Sequence, residues 1–240
     1  TNQKFYFVIK LSQPVRHKFL YLNDTLQIGM KSAIGTNLKA VLFLPDTMSS
    51  ILMKVGMSAT GVEDARKNLN LEIPDWNIKK VLNETTEAWN RELGRIEYST
   101  PNQNDKIIFY SALYHCMIVP TIFTNVDNTY LGRDFEKHTA EGFDYYTVFS
   151  LWDTYRGYHP LMSIIDRKRT RDYVLTFLEQ FNQAGLLPVW EFAANETFCM
   201  IGNHSIPVIS FAIMNDIIVN PDTQKLLLNA MVETANTPRG

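Results

Sequence analysis

The sequence contains few cysteines and none of the short motifs that announce a common cofactor. Cys116 and Cys199 are its two cysteines, and they give neither a disulfide framework nor the spacing of a metal site. GxGxxG, P-loop, HExxH and CxxC motifs are all absent. Nucleotide binding, zinc-protease chemistry and thioredoxin chemistry therefore have no local support.

Long apolar runs and an excess of one charge are also lacking. The longest apolar stretches, at 41–44 and 206–214, are far shorter than the roughly 20 residues of a membrane-spanning helix. The 23 Lys and Arg residues nearly balance the 25 Asp and Glu residues, which leaves a formal net charge of −2. We therefore expect no membrane span and no nucleic-acid partner.

The 240 residues are 45% hydrophobic and 20% charged, a composition that supplies a buried core. No basic and apolar leader precedes the first alternating apolar run. We expect that the chain belongs to a longer protein.

Apolar residues alternate with polar ones up to about residue 60, a period typical of strands. About five strands are predicted in this part, near residues 5–11, 19–22, 26–30, 38–44 and 51–57. Because they follow one another without a helix, we expect antiparallel pairing that needs a second sheet or another covering layer.

After about residue 60 the apolar period changes to 3.6, which predicts six or seven helices. Gly185 is placed to end a helix that contains Phe181, and Asn220 with Pro221 forms a helix start signal. The predicted fold class is α+β, with strands first and a mostly helical remainder.

The densest polar and aromatic cluster is FSLWDTYR at residues 149–156. Trp152, Asp153 and Arg156 would offer an aromatic face, a carboxylate and a guanidinium within one helical turn, a combination that suits a sugar. The structural alternative is that Asp153 caps a helix or pairs with Arg156 at i+3 while Trp152 fills the core.

A second cluster runs from Trp190 to His204. Glu191, Asn195, Glu196 and His204 would also suit a ligand with many hydroxyl groups, and the two glutamates suggest general acid and base catalysis. Alternatively, Asn195 caps a helix whose first turn contains Glu196, and His204 is a core histidine.

These clusters resemble glycoside hydrolase family 92, the calcium-dependent exo-α-mannosidases. The resemblance rests on FYSALYH at 109–115, FSLWDTYR at 149–156, LP at 187–188, NET at 195–197 and MIGNH at 200–204. Shorter matches near Gly56, Asp64, Glu72 and Trp89 fit the junction between the family's domains.

The resemblance implies an N-terminal β-sandwich followed by an (α/α)6 toroid. Residues 1–60 would be the last strands of the sandwich, 61–100 linker helices, and 101–240 the first half of the toroid. The change of apolar period near residue 60 agrees with this division.

The resemblance further implies an inverting hydrolase that removes terminal α-mannose, α-1,2-linked mannose included, from mannan or N-glycan oligosaccharides. Trp152 and Asp153 would bind the terminal mannose, with Arg156 supporting Asp153. Glu191, Asn195, Glu196 and His204 would line or buttress the same pocket. The family's general acid, its base and most calcium ligands lie in motifs expected after Gly240, so this chain alone should be inactive.

Two positions depart from the family pattern. Phe211 replaces an acidic residue, and Asn203 stands where an aromatic residue is common. These departures concern the pocket wall and the preferred linkage.

Two other interpretations stay open. The chain could be a non-catalytic carbohydrate-binding module, or a different (α/α)6 glycosidase with Glu191 or Glu196 as acid and Asp153 or Asp127 as base. From the family we expect a periplasmic or secreted protein. A truncated toroid would expose apolar helix faces, so we also expect the chain to self-associate.

Overall fold

The computed structural model describes residues 2–45 and 50–238. Gly240, the last residue of the predicted half-toroid and the point after which the catalytic motifs are expected, lies outside these described residues. The predicted end of that domain and the position of the motifs beyond it therefore stay predictions.

The first part of the chain holds two antiparallel sheets. Their strands are β1 (Tyr6–Leu11), β2 (His17–Leu22), β3 (Thr25–Leu26), β4 (Leu38–Phe43) and β5 (Met53–Ser58). β1 pairs with β5, while β2 is the central strand of the order β3-β2-β4. All five predicted strands are present, although β3 is shorter than the pattern indicated.

Helix α1 (Val62–Glu72) covers one face of the β1–β5 pair, where Val8, Ala65 and Leu69 form a small core. Lys54 closes the end of this helix. Its ammonium donates a 2.6 Å hydrogen bond to the carbonyl of Ile73 and lies 4.6 Å from the centroid of the Trp76 ring. Because the last carbonyls of a helix have no partner within it, this buried cation stabilises the strand-to-helix junction.

Helices α2 (Ile78–Leu93) and α3 (Gln103–Cys116) follow, and both begin at an asparagine whose side chain accepts a backbone N–H. The rings of Trp89 and Tyr114 join them, with centroids 4.7 Å apart. The predicted helices are confirmed, but apolar residues of their predicted buried faces are exposed to solvent: Leu82 is 64% exposed and Ile107 is 55% exposed.

Five short strands occupy the segment between α3 and the next helix. They are β6 (Thr121–Ile122), β7 (Thr129–Leu131), β8 (Lys137–Thr139), β9 (Tyr146–Thr147) and β10 (Phe149–Ser150). β6 pairs with β9, and β7 pairs with β8. The stretch between residues 125 and 146 therefore contains a β-hairpin, formed by β7 and β8.

The remainder alternates helices with one small hairpin. Its elements are α4 (Leu151–Thr154), α5 (Tyr158–Ile165), α6 (Arg167–Ala184), β11 (Trp190–Phe192), β12 (Asn195–Glu196), α7 (Ser205–Met214) and α8 (Pro221–Asn236). The largest core joins α6, α7 and α8, with Phe177, Ile209 and Leu227 fully buried. Gly185, with φ 74°, ends α6, and Asn220 caps α8, both as predicted.

The fold is thus mixed: five strands come first along the chain, and mainly helices follow. Short strands lie in the connections between these helices. Within the described ranges, no helix is both long and apolar enough to cross a membrane.

Candidate functional site

The first predicted cluster lies on a one-turn helix, α4, directly after strand β10. Leu151 is fully buried and anchors the turn, whereas Trp152 is half-buried and Asp153 is exposed. The hydroxyl of Ser150 donates a hydrogen bond to Asp153 Oδ2. The carboxylate is therefore oriented by a neighbouring side chain while it faces solvent.

Arg156 packs on the aromatic residues of this cluster. Its guanidinium carbon lies 4.5 Å from the centroid of the Trp152 ring and 5.2 Å from that of Tyr155. The expected support of Asp153 by Arg156 is not what the structure shows, since the carboxylate is held by Ser150 instead. The guanidinium of Arg156 is instead stacked on the rings of Trp152 and Tyr155.

His204, from the second predicted cluster, packs against the first one. Its ring lies 4.3 Å from the ring of Tyr155, at an interplanar angle of 34°. Gly202 makes room for it, because a Cβ there would lie 2.6 Å from the imidazole. Burial and the charge of Arg156 both lower the pKa of His204. A neutral imidazole at neutral pH follows.

Glu191 belongs to the hairpin β11–β12 and is completely buried. Its carboxylate accepts hydrogen bonds from the hydroxyl of Thr147 at 2.9 Å, the N–H of Ala194 at 2.7 Å and the N–H of Val148 at 3.2 Å. Burial raises its pKa to about 7 against the opposing effect of these bonds. The carboxylate of Glu191 therefore does not face a ligand but accepts hydrogen bonds from the backbone N–H groups of Val148 and Ala194.

Glu196 and Asn195 are also committed to backbone groups. Glu196 accepts the N–H groups of Val189 and Trp190 at 2.8 and 2.9 Å. Asn195 is buried, accepts the N–H of Asn2 at 2.9 Å and donates to the carbonyl of Ala193. The alternative of a helix cap at Asn195 is wrong, because Asn195 and Glu196 form strand β12.

These contacts disfavour an acid and base pair drawn from this chain. Glu191 and Glu196 are register partners in one hairpin, each used by the backbone around it. Asp127 lies elsewhere, where the ammonium of Lys67 and the hydroxyl of Thr129 hold the pKa of its carboxyl well below the usual range.

A cavity of about 120 Å³ between α5 and α7 was not predicted from the sequence. His159, Tyr155 and Phe211 are among its lining residues. His159 is 2% exposed, and neither ring nitrogen has a hydrogen-bond partner in the part of the chain that the structure describes. Burial lowers its pKa to about 3. No pattern of polar neighbours along the sequence singles out this histidine.

The two departures from the family pattern lie around this region. Phe211 is 40% exposed at the cavity edge, and the side-chain oxygen of Asn203 is buried with no partner among residues 2–45 and 50–238. A larger cavity of about 600 Å³ lies apart from the predicted site, between α2, the end of α3 and Arg169.

The described residues bring together no group of three or more His, Cys, Asp and Glu side chains that could hold a metal ion. Asp153 is a single exposed carboxylate bonded to a hydroxyl. The residues present therefore do not build a calcium site by themselves, and calcium stays a prediction that depends on the family.

Comparison with known proteins places these features in a wider group. A sequence model of the Glycosyl hydrolase family 92 catalytic domain matches residues 64–240. A curated relative, described as an uncharacterized secreted glycosidase of Arthroderma benhamiae, is 30% identical over 107 residues, which are 43% of this chain and 13% of the relative.

Two solved structures from Bacteroides thetaiotaomicron are similar over 98% of this chain, each with a TM-score of 0.87. One is a family GH92 α-mannosidase, 26% identical, of which the chain covers 33%. The other is a family GH92 inverting mannosidase, 24% identical, of which the chain covers 32%. The chain thus spans about a third of the length of these structures and a smaller share of the curated relative.

Proposed function

Because the chain belongs to glycosyl hydrolase family 92, we propose that it is the terminal-mannose-binding part of an inverting, calcium-dependent exo-α-mannosidase. The single observation that carries the proposal is the cluster around Trp152. A half-buried indole, an exposed carboxylate and a guanidinium lie side by side on one turn. The solved relative described as an α-mannosidase, with 26% identity over nearly the whole chain, supports mannose as the sugar.

The chemistry of the turn suits a hexose. The indole of Trp152 offers an apolar surface to sugar C–H groups, and Arg156 on the same ring fixes the orientation of that surface. Asp153 Oδ2 is engaged by Ser150, which leaves Oδ1 to accept a hydrogen bond from a sugar hydroxyl. His204, buttressed through Tyr155, would form the adjacent wall.

We place the general acid and base outside these 240 residues, in sequence that would follow Gly240. An inverting pair needs two carboxyl groups about 6.5–9.5 Å apart, with space for water between them. Glu191 and Glu196 offer no such pair, since both are bonded to backbone N–H groups. Calcium, when bound, would supply hard-cation binding of vicinal sugar hydroxyls, and we place most of its ligands outside these residues as well.

The domain division proposed from the sequence also stands as a proposal. Residues 1–60 would complete a β-sandwich, 61–100 would link, and 101–240 would form half of an (α/α)6 toroid. The exposed apolar residues of α2, α3 and α8 support it, because a second half would cover them; these include Ile78, Leu82, Ile108, Leu226 and Leu228. On the same ground we propose that the isolated chain self-associates.

We propose a periplasmic or secreted location, which the description of the fungal relative as a secreted glycosidase supports. The substrate would be an α-mannosyl oligosaccharide of the mannan or N-glycan type.

The test compares the gene-encoded protein, which is the product of the complete gene, with the 240-residue chain alone. Both are assayed on α-1,2-, α-1,3-, α-1,4- and α-1,6-mannobiose, with calcium and with a chelator. We expect calcium-dependent release of mannose by the gene-encoded protein only. Trp152→Ala and Asp153→Asn should each abolish most of this activity, while Arg66→Ala, on the exposed face of α1, should not. Full activity of the Asp153→Asn protein, or turnover by the short chain, would refute the proposal.

A further inference from the structure

Two backbone turns in unusual conformations meet at the side chain of Glu191. Val148 has φ 69°, and Ala193 and Ala194 have φ 48° and 68°. The left-handed region is uncommon for residues other than glycine, and for a β-branched residue such as valine it is a genuine outlier. Such conformations persist only where surrounding contacts hold them.

The carboxylate of Glu191 supplies those contacts. Oε1 accepts from the N–H of Ala194, and Oε2 accepts from the N–H of Val148. The hydroxyl of Thr147 donates to the same carboxylate and accepts the N–H of Ala193 at 2.7 Å. Both turns are therefore tied to one buried group that must act only as an acceptor.

The turn at Val148 sets the direction of the chain that leads to the sugar cluster. Phe149 is paired with Glu191, and Ser150 is paired with Trp190, in the antiparallel ladder of β10 and β11. Ser150 then donates to Asp153. The carboxylate of Glu191 is thus linked to that of Asp153 through few residues. The link runs from Val148, which Glu191 binds, along the strand β10 to Ser150, whose hydroxyl binds Asp153.

We propose that Glu191 is a positioning residue, whose buried carboxylate fixes the kink at Val148 and thereby aims Trp152 and Asp153 at the sugar. This inference rests on the proposed function, because sugar binding is its principal readout. In this role Glu191 does not contact the sugar; it acts by fixing the positions of other residues.

The role requires the ionised form. Both oxygens of Glu191 accept from N–H or O–H donors, so a proton on either oxygen would meet a donor that the carboxylate now binds. Arg133 favours the carboxylate, while burial opposes it. Tyr145 also interacts with Glu191; it is completely buried, and burial raises the pKa of its hydroxyl, so it stays neutral. Protonation near pH 7 should therefore loosen the turn.

The experiment measures KM and kcat on α-1,2-mannobiose between pH 5.5 and 8.5, with calcium, for the gene-encoded protein and its variants. We expect the KM of the wild type to rise about fivefold as the pH falls from 8 to 6. Glu191→Gln should raise KM about tenfold at pH 8, with a smaller change in kcat, and should remove the pH dependence of KM.

Asp172→Asn is the matched control. Asp172 is a second completely buried carboxylate, which accepts from Lys168 and from the N–H of Asp144, upstream of the kink. A merely structural loss of a buried carboxylate should lower the melting temperature of this variant, while its KM and pH profile stay those of the wild type. Thr147→Val, which removes one donor to Glu191, should shift KM in the same direction as Glu191→Gln and serves if that variant does not fold.

A wild-type KM that is constant across this pH range, or a Glu191→Gln protein with the wild-type KM, would overturn the role of Glu191 while leaving the proposed function intact. A wild type that hydrolyses no α-mannobiose refutes the proposed function instead. In that event, hydrogen exchange of residues 147–156 decides the positioning role without a substrate. Exchange no faster in Glu191→Gln than in the wild type would overturn it.

Discussion

The ring of Tyr155 lies 4.3 Å from the ring of His204, and this contact joins two loops that are about fifty residues apart in the chain. The first is the segment after β10, which contains α4 and carries Trp152 with Arg156 on its ring. The other precedes α7. The two clusters that the sequence suggested separately therefore share one aromatic contact, through His204 of the second cluster.

We expect Arg156→Ala to raise the KM of the gene-encoded protein for α-mannobiose about three- to tenfold. A cation over an aromatic ring contributes about 0.5–2 kcal/mol, and here it also orders the indole that we propose to bind the sugar. Steady-state kinetics measure the effect.

Arg156→Lys is the informative companion. Its ammonium keeps the charge but not the planar stacking, so the KM should lie between those of the wild type and Arg156→Ala. A KM of Arg156→Ala equal to that of the wild type would mean that the Trp152 ring needs no support from Arg156.

We expect His159 to make the protein less stable in acid. In the folded state its pKa is lowered to about 3, so it stays neutral, whereas an unfolded histidine takes up a proton below about pH 6.5. Stability is lost as the pH falls from about 6.5 toward 3, by about 2 kcal/mol at pH 5.

Glu191 acts with the opposite sign. Its folded pKa, about 7, lies above that of an unfolded glutamate, so the folded state binds the proton first and stability falls as the pH rises from about 4.5 to 7. The two groups partly offset one another in the wild type. Melting temperatures of single variants at pH 5 and pH 8 distinguish the contribution of His159 from that of Glu191.

His159→Phe should gain stability at pH 5 relative to pH 8, and Glu191→Gln should show the reverse change, each compared with the wild type. A variant of His159 whose change in melting temperature between the two pH values equals that of the wild type would contradict the buried neutral imidazole.

Local signals predicted the helices well. Gly185 and Asn220 end α6 and begin α8 because cap geometry depends on a few neighbouring residues. The pairing of β1 with β5 was not predictable in the same way, since more than forty residues separate partners such as Tyr6 and Ser58. Strand positions were readable from alternation, but their partners depend on the folded chain.

The site shows the same limit. Trp152 and Asp153 were identified because their residue types are unusual together, and the structure leaves them accessible. Glu191 and Asn195 carry the same kinds of polar atom, but a hairpin register turns them inward. Nothing in the local sequence distinguishes a carboxylate that binds backbone N–H groups from one that binds a sugar.

We expect Gly56→Ala to destabilise the junction between the strands and α1. A Cβ at Gly56 would lie 2.3 Å from the carbonyl oxygen of Ala65 and 2.5 Å from Cβ of Leu69. The oxygen belongs to the backbone of α1 and the second atom is fixed to it, so the helix itself would have to move. Such overpacking costs about 1–3 kcal/mol.

Gly157→Ala is the matched control, because a Cβ at Gly157 meets no atom within 4 Å. Thermal unfolding of both variants should show a melting temperature lowered by several degrees for Gly56→Ala and little changed for Gly157→Ala. Equal melting temperatures would contradict this prediction and mean that α1 shifts to accommodate the added methyl group at little cost.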